Sequence, residues 1–377
     1  MKYLLSDILK EYSEKNSLNK YYPVAVGKYG IRKRSDIYKK ELAKDYSKNK
    51  VIRKNTLIVG MGSTQIDIGV LSSDEIFSVS PAYHTFNISD KIVDSRYLDL
   101  LFLSKNNEYT QKYMIASARQ GKTVNLKDLL KEIIEIPNFE QQYEIINKIE
   151  KIKKFIQFEE ENISYYEELI KSRFIEMFGD PIYNSKQWKI KYISEIGSLK
   201  NGMNFSNEKN KIDIKCLGVG DFKNHSVINT SDLSYISLDE LPNNEYLLKN
   251  NDIIFVRSNG NKNLVGRCVT IFPNEENITF SGFCIRLRIS DKSINTQYLL
   301  RLLKDEGVKE QLRGRGANIQ NLNQQILSKL QVPVPPIELQ NKFAEFVQLI
   351  DKLKFIAQKR IDLYTELLNK KMDEYFN

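Results

Sequence analysis

The chain has 377 residues, a net charge of +9 and 41% hydrophobic residues, enough to build cores for two domains of ordinary size. Three isolated cysteines, Cys216, Cys268 and Cys284, lack C-x-x-C spacing and so indicate neither a disulfide framework nor a zinc ribbon. Asp7 interrupts the apolar start too early for a signal peptide, and no run approaches the ~18 apolar residues of a membrane span, so a soluble, cytoplasmic protein with no membrane contact is expected.

The chain opens with Tyr3-Leu4-Leu5-Ser6-Asp7-Ile8-Leu9 and a polar, Lys- and Tyr-rich stretch to Lys50. Lys28-Tyr29-Gly30-Ile31-Arg32-Lys33-Arg34 sets four basic residues around an aromatic, a mix suited to phosphate contact with packing on sugar, or to a solvated loop. Strand-like runs follow at Asn55–Val59 and Ile76–Val79, with a break at Gly60-Met61-Gly62-Ser63-Thr64-Gln65 that reads as a turn. From Asp94 the pattern turns helical through Tyr97, Leu98, Leu100, Leu101, Tyr109, Tyr113 and Met114.

After Pro137 comes a long helix. Apolar residues recur alternately four and three apart at Ile145, Ile149, Ile152, Ile156, Ile163, Tyr166, Ile170 and Met177, broken by Glu159 and Arg173, and Phe139 to Phe178 contains no Gly or Pro. That is a coiled-coil seam of about four heptads.

The second domain starts at Trp188–Ile196, which echoes the chain start, and continues through short runs bounded by Gly and Asn: Ile214–Val219, Asn251–Ser258, Val265–Ile271 and Gly282–Arg288. These read as a twisted β core, followed by a helix around Gln297–Leu303. Asn125-Leu126 and Asn321-Leu322 both precede a proline by about eleven residues, so both domains are expected to close alike. Pro335 then opens a second helix with the seam Phe343, Val347, Ile350, Lys354, Ala357, Ile361, Tyr364, Leu368, Lys371 and Tyr375.

The two helical segments are one sequence written twice. Adding 198 carries Pro137, Glu140, Gln142, Ile152, Ile163, Tyr166 and Phe178 onto Pro335, Glu338, Gln340, Ile350, Ile361, Tyr364 and Phe376 without a gap. So long a period describes a duplicated domain plus helix rather than a solenoid. The first helical segment, 137–180, carries 6 Lys/Arg against 10 Asp/Glu and the second, 335–377, carries 7 against 7, which leaves +13 on the rest. Positive charge on the globular parts is the footprint of nucleic-acid binding.

Catalytic constellations are poorly supported. Ala116-Ser117-Ala118-Arg119-Gln120-Gly121-Lys122-Thr123 has P-loop spacing, but a polar, helical pattern stands where a buried strand is needed. Gly60-x-Gly62 lacks the third Gly of a dinucleotide fingerprint, and no His/Cys/acid set suggests a triad or a metal site.

Val334-Pro335-Pro336-Ile337-Glu338-Leu339-Gln340, its first copy at Ile136–Gln142 with Asn138 for the second Pro, and the duplicated domain-plus-helix layout resemble the specificity subunit of type I restriction–modification systems. The resemblance covers essentially the whole chain. It implies an α+β fold with two target-recognition domains, 1–136 and 181–334, each a β-rich core with helices. Two long antiparallel coiled-coil helices, 137–180 and 335–377, would join them about a pseudo-two-fold axis. It further implies a non-catalytic subunit that reads a bipartite sequence in double-stranded DNA. Two methyltransferase subunits would bind S-adenosylmethionine for adenine methylation, this chain holding no cofactor, and an endonuclease/translocase subunit would join for cleavage.

On that reading, contacts to DNA are expected from Lys28, Tyr29, Arg32 and Arg34, from Ser63, Thr64 and Gln65, and from Arg119 and Lys122 in the first domain. In the second they are expected from Arg257, Ser258, Asn259, Asn261 and Lys262, which gather guanine- and adenine-reading side chains, and from Arg313, Arg315 and Asn318. The rival from another class is a coiled-coil adaptor between two protein-binding domains; a self-contained restriction enzyme is opposed by the missing catalytic motifs.

Overall fold

A computed structural model describes residues 1–27, 30–37, 45–117, 121–205, 212–222, 226–261, 264–274, 276–313 and 321–376, with the side chain of Arg313 excepted. The chain forms two compact units, one of residues 1–161 with 357–377 and one of residues 162–356.

The first unit begins with β1 (Lys2–Leu4), α1 (Leu5–Ile8) and β2 (Leu9–Glu11), then the hairpin β3 (Val24–Gly27) and β4 (Gly30–Lys33). The polar N-terminal stretch therefore contains paired strands, which Val24 and Val26 alone were too short an alternation to announce. Next come β5 (Lys50–Ile52), β6 (Thr56–Met61), β7 (Ile66–Leu71), β8 (Phe77–Val79) and β9 (His84–Ile88). Helix α2 (Ser95–Tyr113), the hairpin β10 (Met114–Ser117) and β11 (Gly121–Val124), α3 (Leu126–Leu129), β12 (Ile133–Glu135) and the long α4 (Phe139–Phe178), whose residues from 162 onward belong to the second unit, complete the run.

The main sheet has the order β2-β9-β6-β7 and is antiparallel. One face of β6 and β7, with Leu57, Val59, Ile66, Ile68 and Val70, is buried in a core shared with Leu98, Leu101 and Phe102 of α2. The other, with Ile58 and Leu71, packs on Val24, Val26, Ile52 and Val79. As the last strand of its sheet, β7 would present bare amides and carbonyls, a template for aggregation. Helix α2 covers that edge with side chains: Asp99 Oδ1 accepts from Val70 N at 3.0 Å, Thr110 Oγ1 from Ile66 N at 3.1 Å, and Asn106 Nδ2 donates to Ile66 O at 3.1 Å.

The second unit contains β13 (Lys189–Tyr192), α5 (Ile193–Ile196), β14 (Gly197–Asn201), β15 (Ile212–Leu217), β16 (Val227–Ile228) and β17 (Tyr235–Leu238). After these come β18 (Asp252–Val256), β19 (Cys268–Ile271), β20 (Ile278–Phe280), β21 (Cys284–Ile289), α6 (Thr296–Leu303), α7 (Glu306–Arg313), α8 (Gln324–Ser328), β22 (Gln331–Val334) and the long α9 (Ile337–Phe376), whose residues from 357 onward belong to the first unit. A five-stranded sheet of order β14-β21-β18-β19-β16 packs Ile253, Phe255, Ile285 and Leu287 against α6. Its other face, with Ile254, Val256 and Val269, shares a core with Leu217, Ile278 and Phe280 of the smaller sheet β17-β15-β20.

The repeat is visible in each unit's own bonding. Leu5 N donates to Glu132 O in the first and Ile193 N to Leu330 O in the second. Asn125 caps α3 through Asp128 N, and Asn323 caps α8 through Ile326 N. The partner of Asn125 is thus Asn323, at the same offset of 198, and not Asn321 as the Asn-Leu spacing suggested; Asn321 instead bridges Ser258. Gln142, fully buried, donates to Pro137 O at 2.9 Å and Ile92 O at 3.3 Å and accepts from Asp94 N at 2.8 Å. Asn138, at the place of the second proline, caps α4 by accepting from Gln141 N at 2.9 Å.

Helices α4 and α9 run antiparallel against each other. In the first unit Ile146 and Ile149 share a core with Leu368, Met372 and Phe376; in the second Ile170, Phe174 and Phe178 share one with Phe343, Val347 and Ile350. The seam differs from the expected one near the end of α4. Arg173 is exposed and Phe174 is buried, stacked on Tyr298, because a helix of 3.6 residues per turn drifts off a strict 3.5 repeat. Glu159 is buried in the seam and accepts from Arg360 at 3.1 Å.

Candidate nucleic-acid interface

In the first unit the residues expected to touch DNA gather around β6 and β7. The turn between these strands spans Gly62–Gln65 and is closed by Gly62 N donating to Gln65 O at 2.9 Å; Ser63 and Thr64 are exposed and Gln65 half-buried. Hairpin β3–β4 lies against β7, where Gly69 lets the chain pass close: a Cβ there would come within 3.3 Å of Gly30 Cα. Gly30, at φ +74°, takes the left-handed conformation that favours glycine. Arg32 is exposed on β4, and Arg34, half-buried, opens a 3₁₀ turn. Strand β11 lies against β6 and carries Lys122, exposed and opposite Ala116 of β10. Lys122 and Thr123 thus sit in a strand, where a P-loop would need the start of a helix. Lys28, Tyr29 and Arg119 lie outside the described residues.

Missed in the sequence was the polar group beside the β6–β7 turn. Asp67 pairs in register with Gly60, and its Oδ2 accepts from the Tyr83 hydroxyl at 2.8 Å. Burial pushes this carboxyl above the ordinary carboxylate range, and the Tyr83 bond offsets that only in part. Gly60 leaves room for the Tyr83 ring and Gly62 for the Asp67 carboxylate, so the Gly60-x-Gly62 spacing is a packing requirement. At the same sheet end His84 Nδ1 meets Glu11 Oε1 at 3.0 Å.

In the second unit the antiparallel order places the end of β14, the start of β21, the end of β18 and the start of β19 at one edge. The segment after β18 is fastened there on two sides. Arg257 N donates to Phe283 O at 2.8 Å and Leu322 N donates to Arg257 O at 2.8 Å, while Ser258 bridges Asn321. The guanidinium of Arg257, on a half-buried residue, donates through Nη1 to Gly282 O at 3.2 Å. Asn259 Oδ1 accepts from Asn261 N at 2.8 Å and closes a local turn. Lys262, Arg315 and Asn318 and the side chain of Arg313 lie outside the described residues. The same edge carries Phe283, 61% exposed, and Asn201, whose Oδ1 is sealed and without a hydrogen bond. The signal was Gly282: a Cβ there would strike Asn204, so only glycine lets the two loops pass this close.

A dense group of charges in the second unit lies elsewhere, where α4, α6 and α9 meet. Lys354 and Arg301 both donate to Glu167, and the Lys304 amine donates to Ser226 Oγ at 2.6 Å. Burial lowers Lys304 and raises Asp351; burial would raise Glu167 too, but the Lys354 bond and the neighbouring cations hold its carboxyl low. These groups bind helices together. Among the described residues no three His, Cys, Asp or Glu gather so that they could hold a metal, and no helix is long and apolar enough to cross a membrane.

A family model described as "Type I restriction modification DNA specificity domain" matches residues 2–165 and 185–364. The StySPI specificity subunit of a type I restriction enzyme from Salmonella potsdam is 30% identical over 159 residues, 41% of this chain. The match spans 33% of that relative's length. In fold, the chain is similar to the S subunit of a type I restriction–modification system from M. genitalium (TM-score 0.54, 17% identity, 99% of this chain and 95% of that one). It is also similar to a chain from a structure concerned with assembly of the type I R-M system (TM-score 0.60, 14% identity, 100% and 97%).

Proposed function

Because this chain belongs to the family of type I restriction modification DNA specificity domains, we propose that it is the non-catalytic, DNA-reading subunit of such a system. Residues 1–136 and 181–334 act as its two recognition domains, and segments 137–180 and 335–377 as the helical spacer. The observation that carries this is that each unit presents a polar turn at one end of its main sheet, Gly62–Gln65 after β6 in the first and Ser258–Asn261 after β18 in the second. Each domain reads one half of a bipartite duplex sequence. Two methyltransferase subunits supply S-adenosylmethionine and methylate adenine, and an endonuclease/translocase subunit joins for cleavage.

Donors such as Ser63, Thr64, Arg257 and Asn261 suit base edges, while Lys122 and Arg32 suit phosphates. The excess charge of the globular parts supplies the sequence-independent share of binding, which weakens steeply with salt. The test is to map methylated adenines in cells with and without this chain. Methylation at one bipartite sequence, lost with the chain, supports the reading. An unchanged pattern together with salt-insensitive duplex binding returns the adaptor.

A further inference from the structure

A largely buried carboxylate stands in the first unit where a DNA-reading surface would be expected to carry mostly donors. Asp67, 9% exposed, stands beside Gly62 of the β6–β7 turn and near Gly27, the last residue of β3. A Cβ on Gly62, which opens the β6–β7 turn, would come within 2.5 Å of its Oδ1, and a Cβ on Gly27, which leads into the β3–β4 turn, within 3.8 Å. On the third side Tyr83 covers Gly60 and donates to Oδ2.

Nothing among the described residues neutralises this acid. Among the described residues no Lys or Arg makes a hydrogen bond or ion pair with it, and what acts on its carboxyl is burial and the Tyr83 bond. Oδ1 accepts no hydrogen bond from a described residue. It is not sealed either, since among the described residues the side-chain atoms that are both sealed and unbonded are Tyr109 Oη, Asn201 Oδ1 and Arg286 Nε. Keeping a partly desolvated carboxylate short of donors costs free energy. A phosphate cannot supply what it lacks, because like charges repel. An exocyclic amine can, and the amine edges of cytosine and adenine are exposed in the major groove.

Building on the reading of this chain as a DNA-specificity subunit, we propose that Asp67 is a specificity-determining residue of the first domain. Its Oδ1 accepts a hydrogen bond from the exocyclic amine of one base, and Tyr83 is the positioning residue that holds the carboxylate. The acid acts by selection. A base that presents a carbonyl at that place meets an anion, while one that presents an amine satisfies it.

The test uses the full chain co-produced with its methyltransferase subunit, selected against a duplex library randomised over both half-sites. Wild type is compared with Asp67→Asn, Asp67→Ala and Tyr83→Phe. Asp67→Ala should lose preference for an amine-bearing base at one position of one half-site by roughly 5- to 150-fold, with the other half unchanged. Asp67→Asn keeps the shape and an acceptor for Tyr83, so it reports on a folded protein; it should shift preference at that same position. Tyr83→Phe should keep the preferred base with weaker discrimination. Wild-type preferences at every position in both Asp67 variants would overturn the proposal and leave Asp67 a structural tie, whatever happened to affinity. Absence of any sequence preference in the wild type would overturn the underlying reading as well, and is visible before any variant is made.

Discussion

Gln340 takes the amide of Asn295 on its side-chain oxygen at 2.9 Å while its nitrogen donates to Pro335 O at 2.7 Å and Ser293 O at 2.9 Å. The side chain is fully buried and all three partners are backbone. Asn295 in turn caps α6, so one glutamine ties the start of α9 to the start of α6. Gln142 does the same between α4 and the Asp94 cap of α2. The glutamine that recurs in the repeat is therefore a structural clamp and need not touch DNA.

Replacing Gln340 by Glu keeps the shape but turns two donated bonds into an oxygen facing two carbonyls. Each buried group left unpaired costs about 1–3 kcal/mol. We expect a loss of about 2–5 kcal/mol in denaturant unfolding at neutral pH. A loss below about 0.5 kcal/mol, the usual surface value, would show that the clamp contributes nothing.

The cover over β7 predicts a pH dependence. Burial pushes the Asp99 carboxyl up to about 6, against weaker opposing effects from Val70 N and Lys153. A carboxyl whose pKa is higher folded than unfolded is most stabilising below the unfolded value, near 4, and that advantage is lost as pH rises through about 6. Asp99→Asn, which can still accept from Val70 N, should flatten stability between pH 4 and 7. A midpoint that stays pH-dependent over that range in the variant would assign the effect to other groups.

Glu167 has the opposite sign. The Lys354 bond and the nearby cations outweigh burial and hold its carboxyl low, so its contribution is complete above the unfolded value and is lost as pH falls through the folded one. Glu167→Gln should reduce stability at pH 7 and converge with wild type in acid, as followed by thermal unfolding at a series of pH values. Equal losses at every pH would mean that packing, and not charge, is at stake.

Arg257 should matter for one half-site. Its Nη1 bond to Gly282 O orients the guanidinium and leaves further donors for a guanine edge. Arg257→Ala should cost about 1–3 kcal/mol on the cognate duplex and relax discrimination in that half only. The same loss on every singly substituted duplex would demote it to backbone positioning.

The paired helices can be tested as a ruler. Four residues added after Glu160, matched by four after Lys359 so that both members of the antiparallel pair lengthen, add about 6 Å of helix. At roughly 3.4 Å per base pair the gap between half-sites should grow by about two, with the bases read unchanged. Altered bases at an unaltered gap would refute the spacer role.

The helices and the duplication were legible in the chain itself, because an apolar seam spaced by four and three leaves a helix only one face to bury and the second copy provides its match; their antiparallel pairing was implied only by the family resemblance. The Pro-Pro-x-x-x-Gln pattern was legible as a boundary, but its chemistry was not. Gln340 acquires a purpose only when the fold brings Asn295 and Ser293 to it across more than forty residues of sequence. The strands of the polar N-terminal stretch were hidden too, since Val24–Gly27 and Gly30–Lys33 are short and their stability comes from packing on β7. The reading surface depends still more on tertiary structure. Sequence could propose Ser63, Thr64 and Arg257 by side-chain type, but Asp67 lies in an apolar strand and reads there as a lone polar interruption. Only strand pairing with Gly60 and the approach of Tyr83 and Gly27 make it a carboxylate poised beside the β6–β7 turn, because hydrogen-bond donors and burial are properties of neighbours in space, which a linear pattern does not specify.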